Sequence, residues 1–400
     1  METPDSSNSW LRLGVSLALS AVGGVAFWSA VVTLPAIQAD FGVTRAEASL
    51  PFTMIMIGYA GGGVLMGWLT DRHGIAAACS LGMVLLVAGY AGAAAASGPT
   101  WLALDHGLLI GVGGSAFLSP LMTDISHWFQ RRRALAVTIC SSGNYVAGAL
   151  WPPALQHFIA ADGWRATHAG VAVALAVAMG PLIWMLRAKT IGASNSNLAP
   201  RSKHGGVDLP GRAIVVLLAV AGFSCCAAMS MPQAHLVAYC ADLGYGPAKG
   251  AEMLSAMLGL GIVSRIGSGV VADKIGGLAT LLIGSFVQGL ALFAYLWFDS
   301  LASLYVISAM FGLFQGGIIP MYVVIIREYF PPARAGATAG MVMMATFFGM
   351  AAGGWMSGIV FDISGSYRLA FLNGLLWNLL NLGIVAFLMT RRDNAKMVPA

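Results

Sequence analysis

Five polar residues could bind a small solute, because each lies inside a long apolar stretch of the sequence. Arg265 is the most informative, since it comes eight residues before Asp273, close to the end of its stretch. Helix geometry would place it roughly 12 Å inside that end. The planar fork of a guanidinium can donate two parallel hydrogen bonds to a carboxylate, so Arg265 is a candidate anion-binding residue. The alternative is a structural arginine that bonds to backbone carbonyls or extends to the nearer membrane surface.

The other four members of the set are uncharged. Asn144 and Tyr145 lie in the middle of one apolar stretch, and Ser224 and Gln315 lie in two others. A polar group in hydrocarbon needs a partner, which can be a neighbouring helix or a bound solute. Both roles stay open for these residues, and we group all four with Arg265 as candidate substrate-binding residues.

Three titratable residues are candidates for proton coupling. Asp105 and His106 lie early in one apolar stretch, and His235 lies late in another. Burial and neighbouring charges can bring a carboxyl group or an imidazole to titrate near neutral pH. Asp105 could instead cap the start of a helix, and His235 could be a packing residue.

Enzymatic and metal-binding motifs are missing from the sequence. The five cysteines lie in apolar stretches without a Cys-x-x-Cys spacing. The glycine-rich segment 111–115 lacks the G-x-G-x-x-G pattern and lies within an apolar stretch. We therefore expect no cofactor, no metal ion and no enzymatic activity. The net charge of +5 comes from scattered residues rather than a basic run, which argues against a nucleic-acid partner.

The composition requires lipid around most of the chain. Of the 400 residues, 58% are hydrophobic and 9% are charged, whereas about 25% of residues are charged in a typical soluble protein. A helix needs about 20 mostly apolar residues to cross the hydrocarbon core. Twelve such windows are present, at 13–38, 48–70, 75–96, 101–125, 134–160, 166–187, 212–240, 250–272, 277–298, 301–326, 335–361 and 367–390.

The positive charges give an orientation to these twelve helices. With both termini in the cytoplasm, sixteen Lys and Arg lie in cytoplasmic segments and four in outer loops, while Arg265 lies inside a helix. The positive-inside rule predicts this excess, and a shift by one helix would destroy it. Low charge and alanine-rich helices are typical of a bacterial inner membrane. We therefore expect a multi-pass protein of the inner (plasma) membrane with both termini cytoplasmic.

The chain repeats itself with an offset of 201 to 203 residues. The segments 67–74 and 269–276 both read G-x-x-x-D-[RK]-x-G, and each ends the second helix of its half. An aromatic residue followed by Phe occurs at 128–129 and again at 329–330, and the segment 163–166 is matched by 366–369. We predict an all-α membrane protein of twelve transmembrane helices in two six-helix pseudo-repeats. Its parts are an N-terminal bundle at 1–187, a cytoplasmic linker at 188–211 and a C-terminal bundle at 212–400.

The repeated loop resembles the signature of the major facilitator superfamily, and the resemblance extends over essentially the whole chain. It implies the superfamily's fold and a transporter with its substrate site between the repeats. In the superfamily, the signature residues and an acid near the end of helix 4 form a cytoplasmic gate. The matching residues are Asp71, Arg72, Asp124, Asp273 and Lys274. The basic pair that usually follows the signature is replaced by Ile75 and Ala76.

A narrower resemblance is to the monocarboxylate transporter and oxalate/formate antiporter group. It rests on the segments 126–136, 151–153, 162–165 and 235–244. In that group an arginine of helix 8 binds the substrate carboxylate, and the matching residue is Arg265. Several members carry an aspartate one turn earlier for proton coupling, where this chain has Gly261. The role would then pass to Asp105, His106 or His235.

Together these observations predict a secondary active transporter of a small organic anion, either a mono- or a dicarboxylate. It would work by alternating access, with proton symport or anion exchange, and we expect a monomer in the bilayer. The alternative is an exporter of hydrophobic drugs or metabolites by proton antiport, which the many Met and aromatic residues also fit. An enzyme would need a catalytic constellation and a receptor a sizeable soluble domain, and the sequence offers neither.

Overall fold

The computed structural model describes residues 5–187 and 209–397, and all regular structure within these residues is helical. Eleven helices in this part of the chain are long and apolar enough to cross a membrane. They are Ser7–Phe41, Arg45–His73, Ile75–Ala94, Pro99–Trp128, Leu135–Met185, Gly211–Asp242, Pro247–Ile275, Gly277–Tyr295, Leu301–Tyr329, Arg334–Ser364 and Tyr367–Arg392. The all-α membrane fold that the sequence predicts is confirmed.

The fifth of these helices, Leu135–Met185, contains two spans. As one straight helix it would extend for about 75 Å, whereas the hydrocarbon core is about 30 Å thick. Gly163 interrupts it with a φ of 81° and a ψ of 163°. Division at this glycine gives the twelve predicted spans, which we number α1 to α12 in chain order. In this numbering α5 is residues 135–162 and α6 is residues 164–185.

The chain forms two compact units. The first contains Met1–Asn195 and Ala234–Ser255, and the second contains Ser196–Gln233 and Ala256–Ala400. The helices α7 and α8 therefore contribute to both units. In α7 the boundary between the two units falls between Gln233 and Ala234, next to Pro232. This proline lies inside the helix and removes one of its backbone hydrogen bonds. Residues 188–208, most of the predicted linker, lie outside the described residues, so the bundle boundaries at 187 and 212 stay a prediction.

The two copies of the repeated signature end their helices in the same way. Gly74 follows α2 with a φ of 84° and a ψ of 164°, and Gly276 follows α8 with a φ of 87° and a ψ of 162°. Glycine adopts a positive φ without the steric cost that a Cβ would bring. The backbone angles at this position therefore require the last glycine of the signature. The two copies of the signature have the same backbone conformation there.

Backbone-to-backbone contacts hold α8 against α10 in the second unit. A Cβ at Gly312 would overlap the Met257 carbonyl oxygen, and one at Gly316 would overlap the Gly261 carbonyl oxygen. Membrane helices approach this closely only where small residues face each other. The same helix α8 carries Arg265, the candidate anion-binding residue.

In the first unit, α2 and α4 pack closely at glycine residues in the same way. A Cβ at Gly58 would overlap the Gly107 carbonyl oxygen, and one at Gly62 would lie 2.7 Å from Ser115 Oγ. These helices are the counterparts of α8 and α10 in the repeat. The sequence repeat thus extends to the way in which the helices of each unit pack.

Gly316→Ala is expected to destabilise the protein by about 1–3 kcal/mol, because the added methyl group forces α10 away from α8. Gly267→Ala on α8 is the matched control, since nothing lies within 4 Å of a Cβ there. The control should leave stability unchanged or raise it slightly, because alanine is the better helix former. Thermal unfolding in detergent measures both variants. Equal midpoints for the two would contradict the packing that we describe.

Five buried polar residues join helices in the interior of the second unit. Gln288 Nε2 donates to Asn378 Oδ1 (3.0 Å), and Tyr322 Oη donates to Asn381 Oδ1 (2.9 Å). Asn378 and Asn381 also donate to the Ser285 carbonyl (2.9 Å) and hydroxyl (2.8 Å). The network connects α9, α10 and α12. Such bonds satisfy polar groups that would otherwise face hydrocarbon, and they fix the helices in register.

Candidate functional site

Arg265 lies on α8 where that helix contacts an interruption of α10. Residues 316–317 separate the helical segments Leu301–Gln315 and Ile318–Tyr329. The N–H of Gly317 donates to Ser264 Oγ (3.1 Å), so the residue next to Arg265 bonds directly to the interruption. The Arg265 side chain is half-buried. The turn of α8 that carries the guanidinium is therefore held by α10.

Gln315 is paired with a residue that the sequence analysis does not select. Gln233 Nε2 on α7 donates to Gln315 Oε1 (2.7 Å), and both side chains are buried. The remaining amide atoms, Gln233 Oε1 and Gln315 Nε2, have no hydrogen-bond partner in the described part of the chain. The pair therefore has one acceptor oxygen and one donor nitrogen that make no bond within the described residues. Gln315 is two residues before Gly317, so the pair lies near the α8–α10 contact that carries Arg265.

Ser224 lies earlier in α7 than Gln233 of the amide pair. It comes nine residues before Gln233, which corresponds to roughly 13 Å of helix. Its hydroxyl is fully buried and has no hydrogen-bond partner among residues 5–187 and 209–397. The structure thus separates Ser224 from Gln315, and a shared contact with one small ligand would need a ligand that spans this distance.

Asn144 and Tyr145 belong to α5 in the first unit. Trp28 Nε1 on α1 donates to the Asn144 carbonyl (3.1 Å), which fixes this part of α5 against α1. Asn144 is half-buried and Tyr145 is buried. Both residues lie in a firmly packed region, and their role in substrate binding stays a prediction.

Gln315→Leu is expected to weaken ligand binding about three- to tenfold, because it removes a neutral hydrogen bond of about 0.5–1.5 kcal/mol from the site. Gln288→Leu is the control, since it breaks the buried network with Asn378 and should lower the unfolding midpoint without a specific effect on binding. Ligand-dependent thermal shifts of both variants measure the difference. A Gln315→Leu variant that loses stability but keeps its ligand affinity would contradict a binding role.

The structure places two of the three proton-coupling candidates next to a third titratable residue. Asp105 Oδ2 is 4.0 Å from His106 Nδ1. The His106 ring centroid lies 5.8 Å from that of His168 on α6, which the sequence analysis does not select. His235 is buried on α7, in the part of that helix that belongs to the first unit. The cluster around His106 is therefore the most concentrated group of titratable side chains among these candidates.

The five predicted gate residues have two kinds of surroundings. Asp71, Arg72, Asp273 and Lys274 are exposed at the ends of α2 and α8, as residues of a gate can be. Asp124 is instead buried. Their gating role stays a prediction, and the surroundings of Asp124 suggest a structural role for it as well.

The partner of Asp124 is Arg12, one of the sixteen Lys and Arg that the predicted orientation places in cytoplasmic segments. Arg12 Nε donates to Asp124 Oδ2 (2.7 Å) and Nη2 donates to Oδ1 (3.0 Å). Arg12 Nη1 also donates to the Leu186 carbonyl (3.3 Å), and the guanidinium lies 4.5 Å from the Trp128 ring centroid. The two side chains are 4% and 2% exposed. This ion pair joins α1, α4 and the end of α6 within the first unit.

A second ion pair of the first unit involves Arg45, at the start of α2. Its Nη2 donates to both carboxylate oxygens of Asp242 at 3.0 Å. Asp242 ends α7, in the segment of that helix that packs with the first unit. The pair therefore ties the end of α7 to α2, and neither residue is selected by the sequence analysis as functional.

Comparison with protein families gives a match over most of the chain. The model described as "Major Facilitator Superfamily" matches residues 16–306. Monocarboxylate transporter 13 of Bos taurus is 26% identical over 310 residues, which cover 76% of this chain and 71% of that protein. Monocarboxylate transporter 11 of Mus musculus is 25% identical over 92% of this chain and 85% of that protein. Agnestins efflux protein AgnL12 of Paecilomyces divaricatus is 25% identical over 72% of this chain and 65% of that protein.

Solved structures share the fold. A peptide transporter POT in complex with sulfate has a TM-score of 0.75 at 13% identity, covering 96% of this chain and 94% of that one. A POT family transporter in complex with 5-aminolevulinic acid has a TM-score of 0.74 at 11% identity, covering 96% of both chains. Identities this low bear on the fold alone.

Proposed function

This chain belongs to the Major Facilitator Superfamily and is a membrane transporter of a small molecule, and we propose that its substrate is a small organic anion, a mono- or dicarboxylate. Transport would be secondary active, with proton symport or anion exchange. The two six-helix pseudo-repeats would rock in alternating access, so that the site opens to each side of the membrane in turn. The physical argument for this substrate class rests on Arg265.

Arg265 supports an anionic substrate because of its position and its chemistry. A charged side chain within a membrane span is costly unless it faces a wet cavity or a partner, and it is therefore retained for a function by default. Arginine keeps its charge at all working pH values and binds carboxylates through two parallel bonds. The spare donor of Gln315 lies near the same α8–α10 contact and could serve a second oxygen of the ligand.

The names of two relatives fit this substrate class. Monocarboxylate transporters 13 and 11 match this chain at 26% and 25% identity. Gly261, where several members of their group carry an aspartate, lies with its carbonyl against Gly316. Because this position carries no carboxyl group, proton coupling, if the substrate moves with a proton, would use other residues.

The membrane location is a further part of the proposal. We place the protein in the inner (plasma) membrane because of its low charge and alanine-rich helices, and both termini in the cytoplasm because of the charge asymmetry of its loops. We further propose that one chain is the working unit, since the two pseudo-repeats supply both sides of a superfamily site.

A second candidate function is export of a hydrophobic compound by proton antiport. One specific observation favours it, which is the match to the Agnestins efflux protein AgnL12. An exporter of uncharged compounds would not need a cation in its site. Its transport should therefore tolerate the loss of Arg265.

Ligand-dependent thermal stability separates the two candidates. The purified protein is heated with lactate, pyruvate, oxalate or succinate, and separately with lipophilic cations and neutral aromatic compounds. A ligand that binds only the folded protein raises its melting temperature by mass action. Stabilisation by one or more carboxylates, followed by uptake of the same acid into proteoliposomes, supports the organic-anion transporter. Stabilisation by lipophilic compounds alone would favour the exporter.

A further inference from the structure

The first unit contains a buried pair of histidines that the substrate site does not use. His106 lies on α4 and is fully buried, and His168 lies on α6 and is 2% exposed. Their ring centroids are 5.8 Å apart. The ring of Trp164 contacts His168 at 5.5 Å, and the ring of Tyr90 on α3 does so at the same distance. The pair is therefore enclosed by three helices and by aromatic side chains.

The hydrogen bonds of the two rings define their tautomers. His106 Nδ1 lies 2.8 Å from the Leu102 carbonyl, and His168 Nδ1 lies 2.8 Å from the Trp164 carbonyl. A carbonyl only accepts, so each Nδ1 must carry a hydrogen. In a neutral imidazole the other nitrogen, Nε2, is then an acceptor. Both Nε2 atoms are buried, and neither has a hydrogen-bond partner within the described residues.

The surroundings of the pair have more acceptors than donors. Asp105 Oδ2 is a third buried acceptor without a partner in the described part of the chain, and it lies 4.0 Å from His106 Nδ1. Among the described residues that contact the pair, the one comparable donor is the Trp164 indole N–H. The hydroxyls of Tyr90 and Ser29 are 2.8 Å apart and bond to each other. With three buried acceptors and one donor, at least two of the acceptors lack a donor for a hydrogen bond.

The local backbone of α4 is also unusual at this point. The segment His106–Gly111 is a π-helix, which widens the turn that carries His106. Single π-helical turns within α-helices are frequent at functional sites. The irregularity gives a second, independent reason to regard His106 as more than a packing residue.

We propose that His106 and His168 together bind one proton, with the carboxylate of Asp105 as its counter-charge. The proton would enter on the Nε2 of either ring and turn that nitrogen into a donor. A second proton would be repelled by the first, because the ring centroids are 5.8 Å apart. The proposal rests on the proposed function in one respect, which is that the bound proton is the coupling ion of transport.

The other charged and titratable groups around the pair do not supply the counter-charge that we assign to Asp105. Tyr90 faces it from α3 and is bonded to Ser29 of α1. Arg165, which follows Trp164 on α6, is ion-paired with Asp40 at the end of α1, and both side chains are about 40% exposed. Tyr59 on α2 packs against Phe27, with ring centroids 5.6 Å apart. Asp105 is thus the acid that lies nearest to His106 in the described part of the unit.

The test is a titration of the protein with ¹⁵N-labelled histidine side chains in nanodiscs, followed by NMR between pH 5 and pH 9. This measurement needs no substrate. We expect two rings in the Nδ1–H tautomer at high pH, which take up one proton between them as the pH falls. Asp105→Asn should lower the midpoint of that step by at least one pH unit, because the charged ring loses its counter-charge. His157→Gln, which removes an exposed histidine, should leave the step unchanged.

Two results would overturn the proposal. One is a pair of rings that stay neutral throughout the range in the wild-type protein. The other is two independent protonations that Asp105→Asn does not affect. Proteoliposomes with an internal pH dye then test the coupling role separately: His168→Gln should abolish acidification driven by a lactate gradient, while lactate exchange persists. If lactate and the other carboxylates are not transported at all, the proposed function fails, but the titration still decides whether the pair binds a proton.

Discussion

Arg265→Ala is expected to weaken carboxylate binding by about 100-fold or more and to abolish uptake at moderate substrate concentrations. Two charge-assisted hydrogen bonds together contribute about 3 kcal/mol or more, and each 1.4 kcal/mol is a factor of about ten. Arg265→Lys should have an intermediate effect of roughly tenfold, because lysine keeps the charge but not the planar fork. Thermal shifts with lactate, pyruvate, oxalate and succinate measure binding, and proteoliposome uptake measures transport.

The matched control for Arg265 is Arg327→Ala. Arg327 is exposed and lies in the last turn of the Ile318–Tyr329 segment of α10, so its removal should change neither binding nor uptake. Variants at Arg265 that fold normally and bind every carboxylate with wild-type affinity would remove the basis for an anionic substrate. Export of a hydrophobic compound would then be better supported than transport of an organic anion.

Arg12→Ala is expected to destabilise the protein by about 3–5 kcal/mol, since it leaves the Asp124 carboxylate buried without its partner. The two side chains are only 4% and 2% exposed, so water cannot easily replace the lost guanidinium. The double variant Arg12→Leu/Asp124→Leu should recover much of this loss, because it removes both charges and keeps apolar volume. Thermal or denaturant unfolding in detergent measures the three proteins.

An exposed ion pair of the same unit provides the comparison. Lys249 and Glu252 are 44% and 46% exposed and lie one turn apart, and removal of either should cost less than about 1 kcal/mol. A gating role for Asp124 makes a different prediction, in which Asp124→Asn alters transport while stability stays near the wild-type value. Equal stability effects at the buried and the exposed pair would show that the Arg12–Asp124 bond does not hold the first unit together.

Much of the fold could be predicted from the sequence, because the signals involved are local. A membrane span is visible as a run of apolar residues, and Gly163 divides the one long helix in which two spans follow without a loop. Gly74 and Gly276 occur at equivalent places in the repeated signature, and the structure gives them nearly the same backbone angles. These features depend on residues that are close in sequence.

The candidate site was only partly predictable. A charge such as Arg265 is conspicuous because it interrupts an apolar stretch, whereas Gln233 and His168 look like ordinary polar residues within helices. Their significance comes from the residues that they meet. Gln233 is 82 positions from Gln315, and His168 lies on a different helix from His106. A sequence without its tertiary structure does not indicate which faces of two helices are in contact.

The sequence by itself determined that this chain crosses a membrane many times, that it does so as two related halves, and that it carries an arginine inside a span. These properties follow from hydropathy and spacing along one chain, so they need no knowledge of packing. Only the tertiary structure decided that Arg12 is the partner of Asp124, 112 positions away, and that two histidines share a buried site with Asp105. The physical reason is that such pairings depend on how each helix is rotated about its axis, which close packing of small residues fixes only when the helices meet.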